Sequence, residues 1–288
     1  MMADSKRLVV PGPSFRIDLS RPVSRMQQIP PSNLDDLLTA QDLAKSRDHA
    51  ILRTEKLVKI YGGRSVVNGI DIHVNKGEVV GILGPNGAGK TTTFYLIVGL
   101  VRPNGGRVYF QDRDVTGFAM HRRARMGMGY LPQEESIFRK LTVEQNIMAI
   151  LETQRLSRRD RRNRCYDLLK QFGIENLAKN QALTLSGGEK RRLTIARSLV
   201  TNPKLIMLDE PFSGVDPIAV SEIQQHISNL KKAGLAILIT DHNVRETLEI
   251  VDRAYLIFDG RVESQGTQEF LINDPISRQL YLGERFRM

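Results

Sequence analysis

The sequence predicts an α/β protein with a buried parallel sheet and an inserted helical subdomain. Short runs at 79–83, 205–208, 235–239 and 255–258 are apolar at successive positions, as expected for parallel strands covered on both faces. Segments with helical spacing alternate with these runs, which is the pattern of an α/β fold. Residues 140–200 combine helical spacing with many arginines and contain no apolar strand. We therefore place the helical subdomain at about 140–200.

The first 50 residues differ from the rest of the chain. They show little apolar periodicity outside a possible short helix at 35–44, and they contain five prolines, at 11, 13, 22, 30 and 31. These features predict a flexible N-terminal extension over 1–50, followed by one folded domain over 51–288.

Composition narrows the possible classes of protein. The chain has 288 residues, of which 41% are hydrophobic and 26% charged, enough for a sizeable globular core. No apolar stretch approaches the roughly 20 residues of a membrane-spanning helix, and the N-terminus lacks the apolar segment of a secretion signal. We expect a cytoplasmic protein. Cys165, the single cysteine, cannot form an intrachain disulfide and is expected to serve in packing.

The formal net charge is +10, and residues 1–50, with seven basic and six acidic groups, account for only +1 of it. Two arginine clusters stand out in the remainder, one at 122–125 and one at 155–164. Three interpretations remain open for them: a solvated helix face, attraction to anionic headgroups or to an acidic partner, and nucleic-acid binding. The last is disfavoured because no nucleic-acid-binding module accompanies the arginines, so no nucleic-acid partner is predicted.

The strongest chemical signal is a phosphate-binding loop between a predicted strand and a predicted helix. It fits the pattern G-x-x-x-x-G-K-[ST] and consists of Gly84, Pro85, Asn86, Gly87, Ala88, Gly89, Lys90 and Thr91, with Thr92 following in the helix. Backbone N–H groups of such a loop surround phosphates, and the helix dipole adds positive potential. Lys90 is expected to contact the β and γ phosphates of ATP, and Thr91 to ligate Mg²⁺.

A second predicted strand ends in two adjacent carboxylates, Asp209 and Glu210. Buried unpaired carboxylates are costly, so plain packing is a poor explanation for them. Asp209 is expected to hold magnesium. Glu210, which we expect to point the opposite way along the pleat, would orient or deprotonate the water that attacks the γ-phosphate.

A Ser-Gly-Gly turn leads into a predicted helix and narrows the class further. Its residues are Leu185, Ser186, Gly187, Gly188 and Glu189. A helix start of this kind is a second anion-binding site, and one nucleotide seldom needs two within one chain. A head-to-tail dimer resolves this, because each turn could close on the nucleotide held by the other copy. The alternative is an ordinary helix cap.

These motifs together resemble the ATPase subunits of ABC transporters, and the resemblance runs from about residue 51 to the C-terminus. It implies an ABC-type ATPase core with an antiparallel β edge and the inserted helical subdomain. Further residues match the family in order. Tyr61 corresponds to the aromatic residue that stacks on adenine, and His242 to the histidine that contacts the γ-phosphate. Gln133 corresponds to the glutamine that links the metal and the attacking water to the transmembrane partner. Residues 213–216 resemble the loop that couples the two active sites. Tyr61 could instead be a core aromatic residue, and His242 a helix cap.

Within the family, five sequence segments are similar to those of lipopolysaccharide-export ATPases. They are 91–95, 129–139, 209–218, 240–248 and 281–287. The extension at 1–50 and Thr194 depart from that pattern. The resemblance implies a homodimer with ATP and Mg²⁺, peripheral at the cytoplasmic face of the inner membrane. Transmembrane subunits would dock near Gln133, Phe138 and Arg139, making membrane contact indirect.

Three other functions remain possible. The ATPase of an amino-acid importer shares every catalytic motif. A soluble ABC protein acting on ribosomes or DNA commonly carries two ATPase units or long coiled coils, and neither is visible in this sequence. A module that holds ATP without hydrolysing it is disfavoured by Glu210 and His242. The five histidines lack the spacing of a zinc or iron site, so no metal beyond magnesium is implied.

Overall fold

The computed structural model describes residues 50–134, 136–283, 285, 286 and 288. The predicted N-terminal extension, with its possible helix at 35–44, lies outside the described residues apart from residue 50.

Two sheets form the framework of the fold. The antiparallel sheet has the strand order β2-β1-β5-β6, with β3 paired to β1. Its strands are β1 (Leu52–Tyr61), β2 (Arg64–Ile70), β3 (His73–Val74), β5 (Gly105–Phe110) and β6 (Arg113–Asp114). The larger sheet has the order β11-β10-β4-β9-β8-β7 and is parallel except for the edge pair β10 and β11. Its strands are β4 (Val79–Leu83), β7 (Met128–Leu131), β8 (Leu205–Asp209), β9 (Ala236–Thr240), β10 (Arg253–Phe258) and β11 (Arg261–Gly266).

The central strands of the larger sheet are covered on both faces. β4, β8 and β9 are buried at every position. Val79 and Ile237 pack into one hydrophobic cluster, whereas Val80 and Leu238 pack into the other. This two-sided burial explains why these strands are continuous apolar runs. The predicted strands, the α/β class and the antiparallel edge are confirmed, and a separate antiparallel sheet accompanies them.

Helices surround the sheets. They are α1 (Lys90–Val98), α2 (Met120–Arg125), α3 (Val143–Leu151), α4 (Arg158–Gln171), α5 (Gly187–Ser198), α6 (Pro217–Lys232), α7 (Val244–Leu248), α8 (Gln268–Asn273) and α9 (Pro275–Ser277). Single 3₁₀ turns occur at Glu175–Leu177 and Ala182–Thr184, and a π turn occurs at Arg278–Leu282. None of the helices within the described ranges is long and apolar enough to span a bilayer.

The segment between β7 and β8 is helical, as its sequence predicts. It contains α3, α4 and α5, and its only β pairing in the described part is the single bridge between Thr142 and Gln181. Cys165 is buried there among Leu168, Leu169 and Phe172, consistent with a packing role. The boundaries of a subdomain at 140–200 stay a prediction.

Parallel strands bring their carboxyl ends to one edge of the sheet. In β8 and β9, Asp209 lies opposite Thr240, and β7 follows alongside β8 with Leu131 opposite Leu208. The segments that leave β4, β7, β8 and β9 therefore start next to one another, which is where open α/β sheets bind ligands. All the strand-end motifs predicted from the sequence emerge at this edge.

Candidate functional site

The predicted phosphate-binding loop links the end of β4 to the start of α1. Gly84 has a φ of 146°, and a Cβ atom added there would lie 2.1 Å from the carbonyl oxygen of Ile257. Only glycine fits this position. The Lys90 ammonium donates hydrogen bonds to the carbonyl oxygens of Gly84 at 2.7 Å and Pro85 at 3.0 Å. The loop thus curls around the lysine that is predicted to bind phosphate.

Lys90 is buried close to two carboxylates. Burial lowers the pKa of Lys90, and the negative charges of Glu210 and Asp209 oppose this shift. The neighbouring loop positions are accessible, because Asn86 and Gly87 are exposed. Ala88 is buried, whereas Gly89, Thr91 and Thr92 are half-buried at the helix start. The structure therefore brings the loop and the two carboxylates predicted from β8 into one site.

Asp209 is the last residue of β8 and is buried. Its Oδ2 atom accepts a hydrogen bond from the Tyr130 hydroxyl at 3.2 Å, while its Oδ1 atom is buried and has no hydrogen-bond partner among the described residues. Desolvation raises the pKa of Asp209 to about 6. A buried carboxylate oxygen without a partner is costly, and a hard divalent cation near it would remove that cost. The donor set of Asp209 and Thr91 therefore fits Mg²⁺.

Glu210 follows β8 directly and has a left-handed backbone with a φ of 49°, which is unfavourable for a residue with a side chain. Its N–H group donates to the carbonyl oxygen of Thr240 at 2.7 Å, which holds this conformation. Our expectation that pleat alternation directs the Glu210 side chain is wrong, because β8 ends at Asp209 and the left-handed residue turns the chain. Strained backbone that the surrounding structure maintains is typical of functional sites.

The Glu210 carboxylate contacts the other two predicted catalytic residues. Gln133 Nε2 donates to Glu210 Oε2 at 2.5 Å, and His242 Nε2 lies 2.6 Å from Glu210 Oε1. Glu210 is buried, whereas Gln133 and His242 are exposed, so the carboxylate lies beneath two side chains that reach the surface. His242 is not a helix cap, since the residue at the N-cap of α7 is Asn243. Three chain segments that are far apart in sequence thus meet at one carboxylate.

Tyr61 lies at the end of β1 and is 48% exposed, so it is not a core aromatic residue. The Lys59 ammonium lies 4.9 Å from the ring centroid. The following hairpin reaches the phosphate-binding loop, because a Cβ atom on Gly89 would lie 2.5 Å from the Val66 carbonyl oxygen. The exposed ring is therefore available for stacking.

The predicted second anion-binding turn begins α5 with a capping box. The Ser186 hydroxyl accepts a hydrogen bond from the Glu189 N–H at 3.3 Å, and the Glu189 carboxylate accepts one from the Ser186 N–H at 2.8 Å. The same carboxylate lies 2.9 Å from the Ser186 hydroxyl. Ser186 and Gly187 are exposed. Gly188 is buried, and a Cβ atom there would lie 2.5 Å from the Cβ atom of Ala219, so this glycine permits close packing of α5 on α6.

Three residues that support the site were not predicted to do so. Tyr130 holds Asp209, as described above. Arg191, on α5, is buried and donates to the carbonyl oxygens of Asp209 at 3.1 Å and Pro211 at 3.0 Å. Asp241 accepts hydrogen bonds from the N–H groups of Phe212 at 2.7 Å and Asn243 at 2.9 Å, and burial raises its pKa. Tyr130 and Asp241 lie in the segments 129–139 and 240–248, which resemble lipopolysaccharide-export ATPases. No sequence signal identified Arg191.

Comparison with known proteins decides the family. Residues 67–213, just over half of the chain, match the ABC transporter family. The chain belongs to the ABC transporter family. The match spans the phosphate-binding loop, the Ser-Gly-Gly turn and both carboxylates of β8. The sequence-based identification as an ABC-type ATPase is confirmed.

Curated relatives are similar over most of their length. The chain is 51% identical over 238 residues to the lipopolysaccharide export system ATP-binding protein LptB of Acidithiobacillus ferridurans, covering 83% of this chain and 99% of the relative. It is 50% identical over 240 residues to LptB of Escherichia coli K12, covering 83% of this chain and all of the relative. A probable ABC transporter ATP-binding protein of Azorhizobium caulinodans is 52% identical over 232 residues, covering 81% of this chain and 83% of the relative.

Solved structures of ATP-binding cassettes share the fold. The ADP conformation of MJ1267, an ATP-binding cassette of an ABC transporter, has a TM-score of 0.74 and 31% identity, covering 82% of this chain and 99% of that one. The cassette MJ0796, dimeric in a post-hydrolysis state with ADP and phosphate, has a TM-score of 0.68 and 25% identity, covering 75% and 98%. These similarities confirm the predicted ABC-type ATPase core.

Proposed function

We propose that this chain is the ATP-hydrolysing subunit of a lipopolysaccharide exporter. The hydrolytic part of the proposal depends on one observation above all, the contact of Glu210 with both Gln133 and His242. The cargo is supported by relatives that carry the name LptB and are 50–51% identical over nearly their full length.

ATP would be held mainly by the phosphate-binding loop. The backbone N–H groups of residues 84–92 would surround the phosphates, and Lys90 would exchange its two loop carbonyls for the β and γ phosphates. Tyr61, exposed at the end of β1, would stack on the adenine ring.

Thr91 and Asp209 would hold Mg²⁺. Gln133 would lie near the ion because it contacts Glu210, the neighbour of Asp209. When bound, the ion would neutralise charge on the β and γ phosphates. The Asp209 Oδ1 atom, buried and without a partner among the described residues, is the group we expect to face the ion or its water shell.

Glu210 would orient and deprotonate the attacking water, as a buried carboxylate fixed by two neighbours can do. Gln133 and His242 hold its two oxygen atoms separately. Upon nucleotide binding, His242 would turn to the γ-phosphate, which would free one carboxylate oxygen for the water. Arg191 would fix the backbone at Asp209 while this occurs.

The second anion-binding turn would act on a partner copy. Ser186 and Gly187 are exposed at the N-terminus of α5, where the helix dipole favours an anion. In a head-to-tail dimer, Ser186, with the N–H groups of Gly187, Gly188 and Glu189, would contact the γ-phosphate held by the other copy. Ile218, which is 77% exposed next to residues 213–216, would then be covered by that copy. The dimeric cassette MJ0796 supports this assembly.

Transmembrane subunits would dock around Phe138 and Arg139. The Phe138 ring is 46% exposed, although its backbone is fixed by Asn146, which donates to the Phe138 carbonyl at 3.0 Å and accepts from its N–H at 2.8 Å. Arg197 lies over the ring, 5.0 Å from its centroid. An apolar ring presented on a fixed backbone is suited to a partner's pocket. Because the loop begins at Gln133, the docked subunit would be linked to Glu210.

Phe138→Ala is expected to leave hydrolysis by the isolated subunit within about twofold of wild type, since exposed substitutions cost little stability. In the assembled transporter, we expect ATP-driven transport to fall by about tenfold or more, because truncating an interface anchor weakens docking by about 2 kcal/mol. Leu100→Ala, at a position that is 50% exposed, provides the control. An equal loss in the isolated subunit would refute a coupling role for Phe138.

Tyr130→Phe is expected to raise the Mg²⁺ concentration needed for half-maximal ATP binding and hydrolysis by about tenfold, since it removes a hydrogen bond to a charged group. Hydrolysis at saturating Mg²⁺ should stay close to wild type. Tyr109→Phe, whose hydroxyl is on the surface 3.3 Å from Arg107, serves as the matched control. An unchanged Mg²⁺ titration would show that Tyr130 does not position Asp209.

We place two copies at the cytoplasmic face of the inner membrane, with residues 51–288 as the ATP-binding domain and about 140–200 as its helical subdomain. Purification of the tagged chain from native membranes tests the transporter assignment, by identification of the membrane subunits that accompany it. We expect subunits of a lipopolysaccharide exporter. Membrane subunits of an amino-acid importer, or ribosomes, would contradict the proposal and support the corresponding alternative.

A further inference from the structure

The two arginine clusters of the sequence have different environments. In the first, Arg123 is fully buried and donates to the carbonyl oxygens of Phe118 at 2.9 Å, Leu96 at 2.9 Å and Thr116 at 3.0 Å. Arg122 lies over the Phe118 ring. Arg123 therefore joins α2 to α1 and has a structural role.

The second cluster lies at and just before the start of α4, and it divides into inward and exposed side chains. Arg161 and Arg164 turn inward, and Arg164 donates to the Asn202 side chain at 2.6 Å. The remaining arginines are exposed, with Arg158, Arg159 and Arg162 on α4 and Arg155 just before the helix begins. We refer to these four residues as the arginine face.

The arginine face does not stabilise the helix. Arg158, Arg159 and Arg162 lie in the first turns of α4, where the positive end of the helix dipole disfavours cations. Arg158 and Arg162 are also like charges at i and i+4, which repel each other. Asp160 is the acidic residue nearest to these arginines in the sequence. Its carboxylate accepts a hydrogen bond from the hydroxyl of Ser157, the N-cap residue of α4, at 2.6 Å.

Among residues 50–134 and 136–283, none of the four guanidinium groups forms an ion pair or a hydrogen bond with another side chain. Helix stability and ion pairing do not account for these four arginines, which leaves a solvated surface or an external anionic partner as the physical reason for them.

The position of the face relates it to the proposed docking loop. Arg164, two residues after Arg162, turns inward and lies 3.5 Å from the carbonyl oxygen of Leu199 at the C-terminal end of α5. Two residues earlier, Arg197 donates to the Ser136 hydroxyl at 2.8 Å and lies over Phe138. The segment that carries the arginine face and the loop of Phe138 therefore both contact the C-terminal end of α5, opposite the Ser186 end.

We propose that the arginine face binds the anionic phospholipid headgroups of the membrane that carries the transporter. This inference rests on the proposed peripheral position of the subunit. Leu156, 38% exposed between Arg155 and the cap residue Ser157, adds an apolar side chain that can enter the headgroup region. Guanidinium groups bind phosphate in a bidentate manner. A leucine among unpaired arginines favours a lipid surface over an acidic protein segment.

The test measures binding of the purified full-length chain to vesicles, without nucleotide. The vesicles contain phosphatidylethanolamine with phosphatidylglycerol, or phosphatidylcholine alone. Each arginine near an anionic leaflet should strengthen binding about fivefold, so a variant with Arg158→Gln, Arg159→Gln and Arg162→Gln should bind the anionic vesicles about a hundredfold more weakly. A control variant with Lys76→Gln, Arg125→Gln and Lys232→Gln removes the same charge elsewhere, and it should stay within about threefold of wild type.

The outcomes separate the possible partners. We expect binding to anionic vesicles only, weakened by high salt and lost selectively in the arginine-face variant. Equal losses in the control variant would mean that net charge alone is responsible, and would overturn the proposal. So would the absence of wild-type binding to anionic vesicles. If the arginine-face variant instead fails only to co-purify with its membrane subunits, the partner is an acidic protein surface. Vesicle binding does not depend on the cargo, so an incorrect cargo assignment would leave it unchanged.

Discussion

Glu210→Gln is expected to bind ATP as well as wild type and to lose at least about a hundredfold in turnover. The amide can replace the carboxylate in size and can still meet His242 and Gln133, but it cannot accept a proton from water. Because a glutamine can occupy the same left-handed backbone position, the fold should be preserved. Single-turnover hydrolysis, measured together with equilibrium ATP binding, separates the two effects.

Glu263→Gln is the matched control, since Glu263 is exposed on β11 and belongs to no part of the site. Its turnover should equal that of wild type. Hydrolysis close to the wild-type rate in Glu210→Gln would mean that another group activates the water, and the role assigned to the contacts of Glu210 would be wrong.

Ser186→Asp is expected to abolish hydrolysis, with a loss of about a hundredfold to a thousandfold, the range for removing an oxyanion-type contact. Aspartate is as good an N-cap as serine, so α5 should still form. Its charge would repel the γ-phosphate of ATP on the partner copy and prevent closure. ATP binding to the phosphate-binding loop of the same copy should be retained. Turnover, ATP binding and ATP-dependent dimer formation are the measurements.

Ser157→Asp provides a close control. Ser157 caps α4 and lies next to an acidic residue at the third helical position, as Ser186 does in α5. The substitution therefore introduces the same repulsion at a helix start that is not predicted to bind nucleotide. We expect normal turnover from it. Normal turnover in Ser186→Asp would show that the second copy does not contribute Ser186 to the catalytic site.

The central strands could be predicted because they are buried on both faces. β4, β8 and β9 appear in the sequence as unbroken apolar runs, and their observed bounds differ from the prediction by one residue at most. The antiparallel sheet gave no such signal. In β1, buried and exposed positions alternate irregularly, and the register shifts between Leu57 and Val58 and again between Lys59 and Ile60.

The main site motifs could be predicted because each is a local chemical pattern. The phosphate-binding loop, the two carboxylates and the Ser-Gly-Gly turn are each formed by consecutive residues. Contacts between distant segments could not be predicted in this way. Tyr130 on β7 reaches Asp209 across 79 positions of sequence, and Arg191 reaches the same residue from helix α5. The left-handed backbone of Glu210 also depends on a strand partner, Thr240.

The most direct test of the shared site is an experimental structure of Glu210→Gln with ATP and Mg²⁺. We predict two copies arranged head to tail, with the Ser186 hydroxyl of each within hydrogen-bonding distance of the γ-phosphate on the other. Its present contact with Glu189 would then be broken or shared. A structure with ATP bound, in which Ser186 contacts only Glu189 of its own chain and lies far from every nucleotide, would contradict the account.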